Sequence, residues 1–144
     1  MRPSIFFIPL LAFFCAGGAL GADKKIISPP HSKPAGNYTQ GILIDGALYI
    51  SGQGGEDAAG NISSDFDSEV RQCPDNIGAI LKAAGMSPAD VVSVQVCLED
   101  VAKFQRMNAV YTSYFKDPRP TRATVVVAGL LGPGNIEITA TARK

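Results

Sequence analysis

The chain has 144 residues, with 13 Lys and Arg balanced by 13 Asp and Glu, one His and three Cys. A neutral balance without a basic run argues against nucleic acid as a partner, because phosphate binding relies on clustered Lys and Arg. The lone His31 lies among Pro29, Pro30 and Pro34, and no His/Cys/Asp cluster has metal-ligand spacing. That argues against a catalytic triad or a zinc site, so no metal and no cofactor is expected.

The N-terminus reads as a leader. Arg2 supplies a positive start, Ile5 to Ala16 is apolar apart from Ser4 before it and Pro9 within it, and the small residues Gly17, Gly18, Ala19, Gly21 and Ala22 follow. Charge then returns at Asp23, Lys24 and Lys25. This is the layout of a secretory signal peptide over residues 1–22, with cleavage expected after Gly21 or Ala22. The run is short for a membrane span, which needs about 20 residues, so no permanent span is expected. Cys15 lacks the small residue before it that a lipoprotein signal would show. The expected location is exported, periplasmic or secreted, and cytoplasmic if the leader does not function. Residues 23–144 form one expected domain. Its modest size limits how much surface it buries alone, which makes oligomerisation plausible.

Asp23 to Asn37, rich in Pro, Lys and Ser, is expected to be an extended lead-in. Tyr38 to Ile44 and Ala47 to Ser51 are β-prone runs, joined by the two-residue hairpin signal Asp45-Gly46. The loop Gly52 to Asn61 is glycine-rich but lacks the Gly-Lys-Ser/Thr ending of a phosphate loop. A first helix is expected from about Ser63 or Ser64, with Asp65, Asp67 and Glu69 suiting its N-terminal end. Phe66, Val70, Cys73, Ile77, Ile80 and Ala84 recur along one helical face, and Gly85 fits the position just past the end. Pro74 predicts a kink or a later start.

Val92, Val94, Val96 and Leu98 alternate with Ser93, Gln95 and Cys97, predicting a strand with one buried face. Asp100 is the expected cap of a second helix with the stripe Val101, Phe104, Met107, Tyr111 and Tyr114. Lys116 to Pro120 breaks that helix. Cys73 and Cys97 could pair in an oxidising compartment; two buried free thiols are the expected state.

The last stretch carries the chemistry. Pro120-Thr121-Arg122-Ala123 opens an apolar strand, a Gly/Pro turn follows at Gly129, Gly132, Pro133 and Gly134, and Ile136-Glu137-Ile138 forms a second strand. An arginine and a glutamate on adjacent strands commonly make a surface ion pair worth roughly 0–1 kcal/mol. The functional reading is that Arg122, whose donor fork fits a carboxylate, binds an anionic small molecule while Glu137 handles water beside it.

The ordered pattern Pro-Thr-Arg-Ala, an apolar run, Ala-Gly-Leu, a gap and Ile-Glu-Ile resembles the signature of the RidA (YjgF/YER057c/UK114) family. The resemblance extends from about Ile26 to Arg143. It implies a chorismate-mutase-like α+β fold in the order β-β-α-β-α-β-β, with a mixed sheet and both helices on one face. It also implies a homotrimer with sites in the clefts between subunits. Carried over position by position, it implies that Arg122 clamps the substrate carboxylate and Glu137 serves the attacking water. Tyr38, Ser51, Gly52, Asn108, Ala123 and Thr124 would border the ligand. Thr124 stands where the family often has cysteine. The implied reaction is hydrolysis of reactive enamine or imine acids, such as 2-aminoacrylate and 2-iminobutanoate, to 2-oxo acids and ammonia. The alternatives are a non-catalytic trimer that binds small carboxylic acids and, less favoured on charge and histidine content, an endoribonuclease.

Overall fold

The computed structural model describes residues 22–30 and 36–144. The expected leader, apart from Ala22, and His31 fall outside these residues. Six strands and two helices make up the domain: β1 (Lys25–Ile27), β2 (Gly41–Ile44), β3 (Ala47–Gln53), α1 (Phe66–Ala83), β4 (Val91–Leu98), α2 (Phe104–Tyr114), β5 (Thr121–Val126) and β6 (Ile136–Arg143). They form one sheet in the order β1-β2-β3-β6-β4-β5. Only β4 and β5 run parallel; every other pair is antiparallel. The expected mixed α+β architecture holds, with one addition. Lys25–Ile27, read as part of a lead-in, pairs with β2 as an edge strand.

The Asp45-Gly46 turn is as expected. Both residues have positive φ, 48° and 75°, which a two-residue hairpin loop requires. The preceding strand is shorter than the β-prone run, because Tyr38 to Gln40 leave the ladder. There the Ser51 N–H donates to the Gln40 carbonyl at 3.0 Å and its hydroxyl to the Thr39 carbonyl at 2.6 Å.

α1 starts at Phe66, where the Asp65 side chain accepts from the Ser68 N–H at 3.0 Å. Pro74 neither delays the start nor ends the helix, and its ring is buried in the core. The missing N–H leaves the Val70 carbonyl without its usual helical donor. Gly85, at φ 71°, follows the C-cap Ala84 as expected. Asp100 caps a 3-10 turn over Val101–Lys103, which leads into α2. Val101 is therefore on the surface, 71% exposed, and not part of the buried stripe. Arg106 ties α2 to the start of α1 through Asp67 at 2.9 Å and Asp65 at 3.3 Å.

The core lies between the helices and one face of the sheet. It gathers Leu48 and Ile50 of β3, Val94, Val96 and Leu98 of β4, and Ile136, Ile138, Ala140 and Ala142 of β6 beneath the buried stripe of α1. Burying a side chain of this size stabilises by about 1.5–3 kcal/mol. The alternation expected in β4 breaks at one point: Val92 is exposed and Val91 is buried. An irregularity in the β4–β6 register between Val91 and Ser93 switches the face there.

Among the described residues no helix covers the opposite face of the sheet. Ser93, Gln95 and Cys97 of β4 lie there, in register with Thr141, Thr139 and Glu137 of β6. Tyr49, Val92 and Val125 leave apolar surface on this side of the fold, 54%, 47% and 42% exposed. Cys73 is buried on the helix side and Cys97 sits on the open side, so the sheet separates the two free thiols. Burial and neighbouring carboxylates push the Cys73 thiol far above its usual range.

Candidate functional site

Glu137 owes its place to a glycine across the strand pair. β3 and β6 shift register between Ile50 and Gln53, where Ser51 and Gly52 together stand opposite Thr139 within β6. A Cβ on Gly52 would lie 2.4 Å from both Cδ and Oε1 of Glu137, so only a bare backbone lets the carboxylate lie there. Ser51 is anchored to Thr39, and Gln53 turns back so that its Nε2 donates to the carbonyls of Ser51 and Gly52, each at 3.0 Å.

These residues line a groove of about 1060 Å3, with exposed Tyr38 on one side and Leu131 at the rim. Its charged lining is entirely carboxylate, namely Glu56, Asp57, Asp75 and Glu137, among the described residues. Among the described residues no cation lines the groove to meet an acid anion.

The glycine-rich loop on the groove's other flank is well braced. Asp57 accepts from the N–H groups of Ala59 and Asn61, each at 2.9 Å, which holds its carboxyl below the usual range. The Asn76 amide of α1 donates to the carbonyls of Gly54 and Glu56 at 3.1 and 3.0 Å.

Arg122 lies elsewhere. β5 is an edge strand, and Arg122 pairs in register with Val94 of β4. Val94 faces the helices, so Arg122 does too, and its guanidinium rests 4.5 Å from the Tyr111 ring centroid and 5.9 Å from that of Phe104. Asn108 is half-buried on the same flank of α2, four residues after Phe104 and three before Tyr111. Thr124, two residues on from Arg122, points to the same side and has a buried hydroxyl without a hydrogen-bond partner. Ala123 faces the open side. Burial raises the Tyr111 hydroxyl above its ordinary pKa, against a smaller opposing pull from Arg122.

The strands bearing Arg122 and Glu137 are thus not adjacent, as the sequence suggested. β4 lies between them. Arg122 aligns with Val94 and Glu137 with Cys97, an odd offset, so the two side chains leave opposite faces of the sheet. Two strand spacings and three residues along the strand separate their backbones by roughly 14 Å. Among the described residues the alternative reading, a surface ion pair between them, finds no contact. Among the described residues Arg122 makes aromatic contacts and no ion pair, leaving its donors available.

The candidate residues thus fall into two groups, each a candidate half-site: Arg122, Thr124 and Asn108 at the β5 edge, and Tyr38, Ser51, Gly52 and Glu137 in the groove. Sequence reasoning missed the supports of the second half-site, Asn76, Asn135 and the buried Glu69. For Glu69 a signal existed, since it falls three residues after Phe66 and four before Cys73 on the apolar stripe.

Known proteins resemble this chain over most of its length. The family model described as endoribonuclease L-PSP matches residues 29–144. A bovine 2-iminobutanoate/2-iminopropanoate deaminase is 42% identical over 122 residues, 83% of this chain and 89% of the bovine one. The crystal structure of RidA from the Antarctic bacterium Psychrobacter sp. superposes with a TM-score of 0.79 at 34% identity, covering 83% of this chain and 99% of that one. E. coli TdcF, solved with bound serine, gives a TM-score of 0.77 at 33% identity, covering 83% and 98%.

Proposed function

Because this chain belongs to the RidA family, whose family model carries the name endoribonuclease L-PSP, we propose that it is an imine/enamine deaminase. It hydrolyses small 2-imino acids of the 2-aminoacrylate or 2-iminobutanoate type to 2-oxo acids and ammonia. The observation that carries this reading is the Arg122 guanidinium: exposed, stacked on aromatic faces and without a carboxylate partner among the described residues. Such a fork takes a carboxylate in bidentate fashion. The deaminase name of the bovine relative and the serine bound in TdcF point to the same class of ligand.

The chemistry asks little of the protein. An imine carbon is already electrophilic, so neither a covalent nucleophile nor a metal is required. Arg122 holds the substrate carboxylate. Glu137 takes a proton as water adds to the C=N carbon, and returns it to the nitrogen as the tetrahedral adduct releases ammonia. General acid–base help of this kind contributes roughly 10²–10⁴-fold, and orientation contributes more.

Both half-sites act together when a homotrimer sets the β5 edge of one chain against the groove of the next. A cyclic trimer joins two different surfaces of each chain, and the half-sites lie on two different surfaces. The all-carboxylate groove lining then gains the cation that an acid substrate needs. The apolar residues on the open side of the sheet offer area to bury in such an assembly.

The deciding experiment measures ammonia release from freshly generated 2-iminobutanoate. Wild-type protein turns it over, and Arg122→Ala abolishes turnover while keeping the fold. A wild type that binds the acid without releasing ammonia is a binder. RNA cleavage by purified protein that is lost in Arg122→Ala would move the reading to a nuclease. We further infer export through the 1–22 leader, on its sequence alone. N-terminal sequencing of secreted protein starting at Ala22 or Asp23 is the expected result. Among the described residues no helix is long and apolar enough to cross a membrane.

A further inference from the structure

Glu69 is the buried charged side chain among the described residues, 0% exposed within α1. Its Oε1 accepts the main-chain N–H of Asn135 at 2.5 Å, and its Oε2 accepts the Asn135 Nδ2 at 2.7 Å. Asn135 is held from its other side as well: Lys103 Nζ donates to its Oδ1, and the Glu99 N–H donates to its main-chain carbonyl at 3.1 Å.

The opposite wall of the groove leans on the same residue. A Cβ on Gly55 would fall 2.4 Å from Glu69 Cγ and 2.8 Å from its main-chain oxygen, and one on Gly134 would fall 3.0 Å from Oε1. Glu69 thus lies against both loops that frame the groove, its carboxylate on the Gly134–Asn135 turn and its stem and backbone against Gly55. Glu137 stands two residues beyond Asn135, with its carboxylate over Gly52, three residues before Gly55.

Both Asn135 groups that meet Glu69 are donors. An ionised carboxylate is an acceptor at both oxygens and satisfies them together, whereas a glutamine amide would set one donor against another. A buried carboxylate is costly unless its oxygens are hydrogen-bonded. This one is satisfied by the segment that leads into Glu137.

We propose that Glu69 is the positioning residue for Glu137. It locks the Gly134–Asn135 turn to the Gly55 loop, so that the Glu137 carboxylate is held over Gly52 in line with the attacking water. This rests on the deaminase reading, and the test separates the two. Arg122 lies on β5, two strands away from the β6 segment that this network braces, so Glu69→Gln leaves KM within about 2-fold. Its kcat falls by about 10- to 100-fold, the scale of a misplaced reacting group. The main-chain amides of Asn135, Ile136 and Glu137 exchange faster with solvent deuterium. Asn135→Ala, which keeps the main-chain bond, shows a smaller fall in the same direction and guards against a Glu69 variant that folds poorly. In a Glu137→Ala background Glu69→Gln costs no further kcat.

Wild-type kcat in both variants overturns the proposal, as does a kcat loss that persists undiminished in the Glu137→Ala background. If the wild type releases no ammonia, the deaminase reading falls by itself. The exchange measurement then still decides, and amides of residues 135–137 as protected in Glu69→Gln as in wild type overturn the positioning role.

Discussion

Gly52→Ala tests the geometry of the groove with a single methyl group. The added Cβ would meet Glu137 Cδ and Oε1 at 2.4 Å, against an ordinary contact that begins at 3.4 Å. The carboxylate must therefore retreat by about 1 Å, or swing to another rotamer. A misplacement of about 1 Å costs on the order of 100-fold in rate, equivalent to about 2.7 kcal/mol of transition-state stabilisation. Stability should barely change. Gly52 has no positive φ that alanine would strain, Glu137 is exposed and free to move, and alanine in a strand is favoured over glycine by roughly 0.5–1 kcal/mol. The assay is steady-state ammonia release by Gly52→Ala, Glu137→Ala and the double variant, with thermal unfolding of each. Gly52→Ala should lose kcat at nearly unchanged melting temperature and add little to Glu137→Ala, because both act through one carboxylate. Retention of kcat within about 2-fold in Gly52→Ala would refute the claim that Glu137 works from its place over this glycine.

If Arg122 and Glu137 meet only between chains, inactive Arg122→Ala and Glu137→Ala proteins unfolded and refolded together at equal amounts regain about a quarter of wild-type activity, since half the chains supply each intact group at random; no recovery would place both groups of a site on one chain. Tyr111→Leu removes the ring under Arg122, a contact worth roughly 0.5–2 kcal/mol, so KM for the imino acid rises by roughly 2- to 30-fold while Tyr111→Phe stays near wild type in the same assay. Asp57, Asp65 and Asp90 are each held below the ordinary value of 3.8, chiefly by hydrogen bonds from the Asn61 backbone, the Ser68 side chain and the Ser87 backbone respectively. The unfolded chain then binds more protons just below that value, so their contribution is present above about pH 4 and is lost as pH falls. Urea midpoints recorded from pH 5 to pH 2 should decline, and decline less when all three are replaced by Asn.

The sequence was most legible where one physical rule acts alone. Asp45-Gly46 has no competing use and makes the hairpin it signals. The α1 stripe and its terminal Gly85 follow from helical period and from the left-handed residue that ends a helix. Legibility failed where a distant partner decides. β1 has little pattern of its own and becomes a strand because β2 offers an edge. Val92 turns outward because the register with β6 shifts beside it.

The same rule explains what was read and misread at the site. The expectation that Arg122 and Glu137 matter rests on residue type, since an arginine and a carboxylate in β-rich apolar segments ask to be explained. Their relation is carried by topology, which short-range pattern does not encode. β4 is drawn between β5 and β6, so an apparent pair becomes two isolated groups on opposite faces. Neither then neutralises the other. Under the proposed function the arginine would keep its donors for an acid and the glutamate its oxygens for water, and the separation that prevents an internal ion pair would suit the proposed site between neighbouring chains.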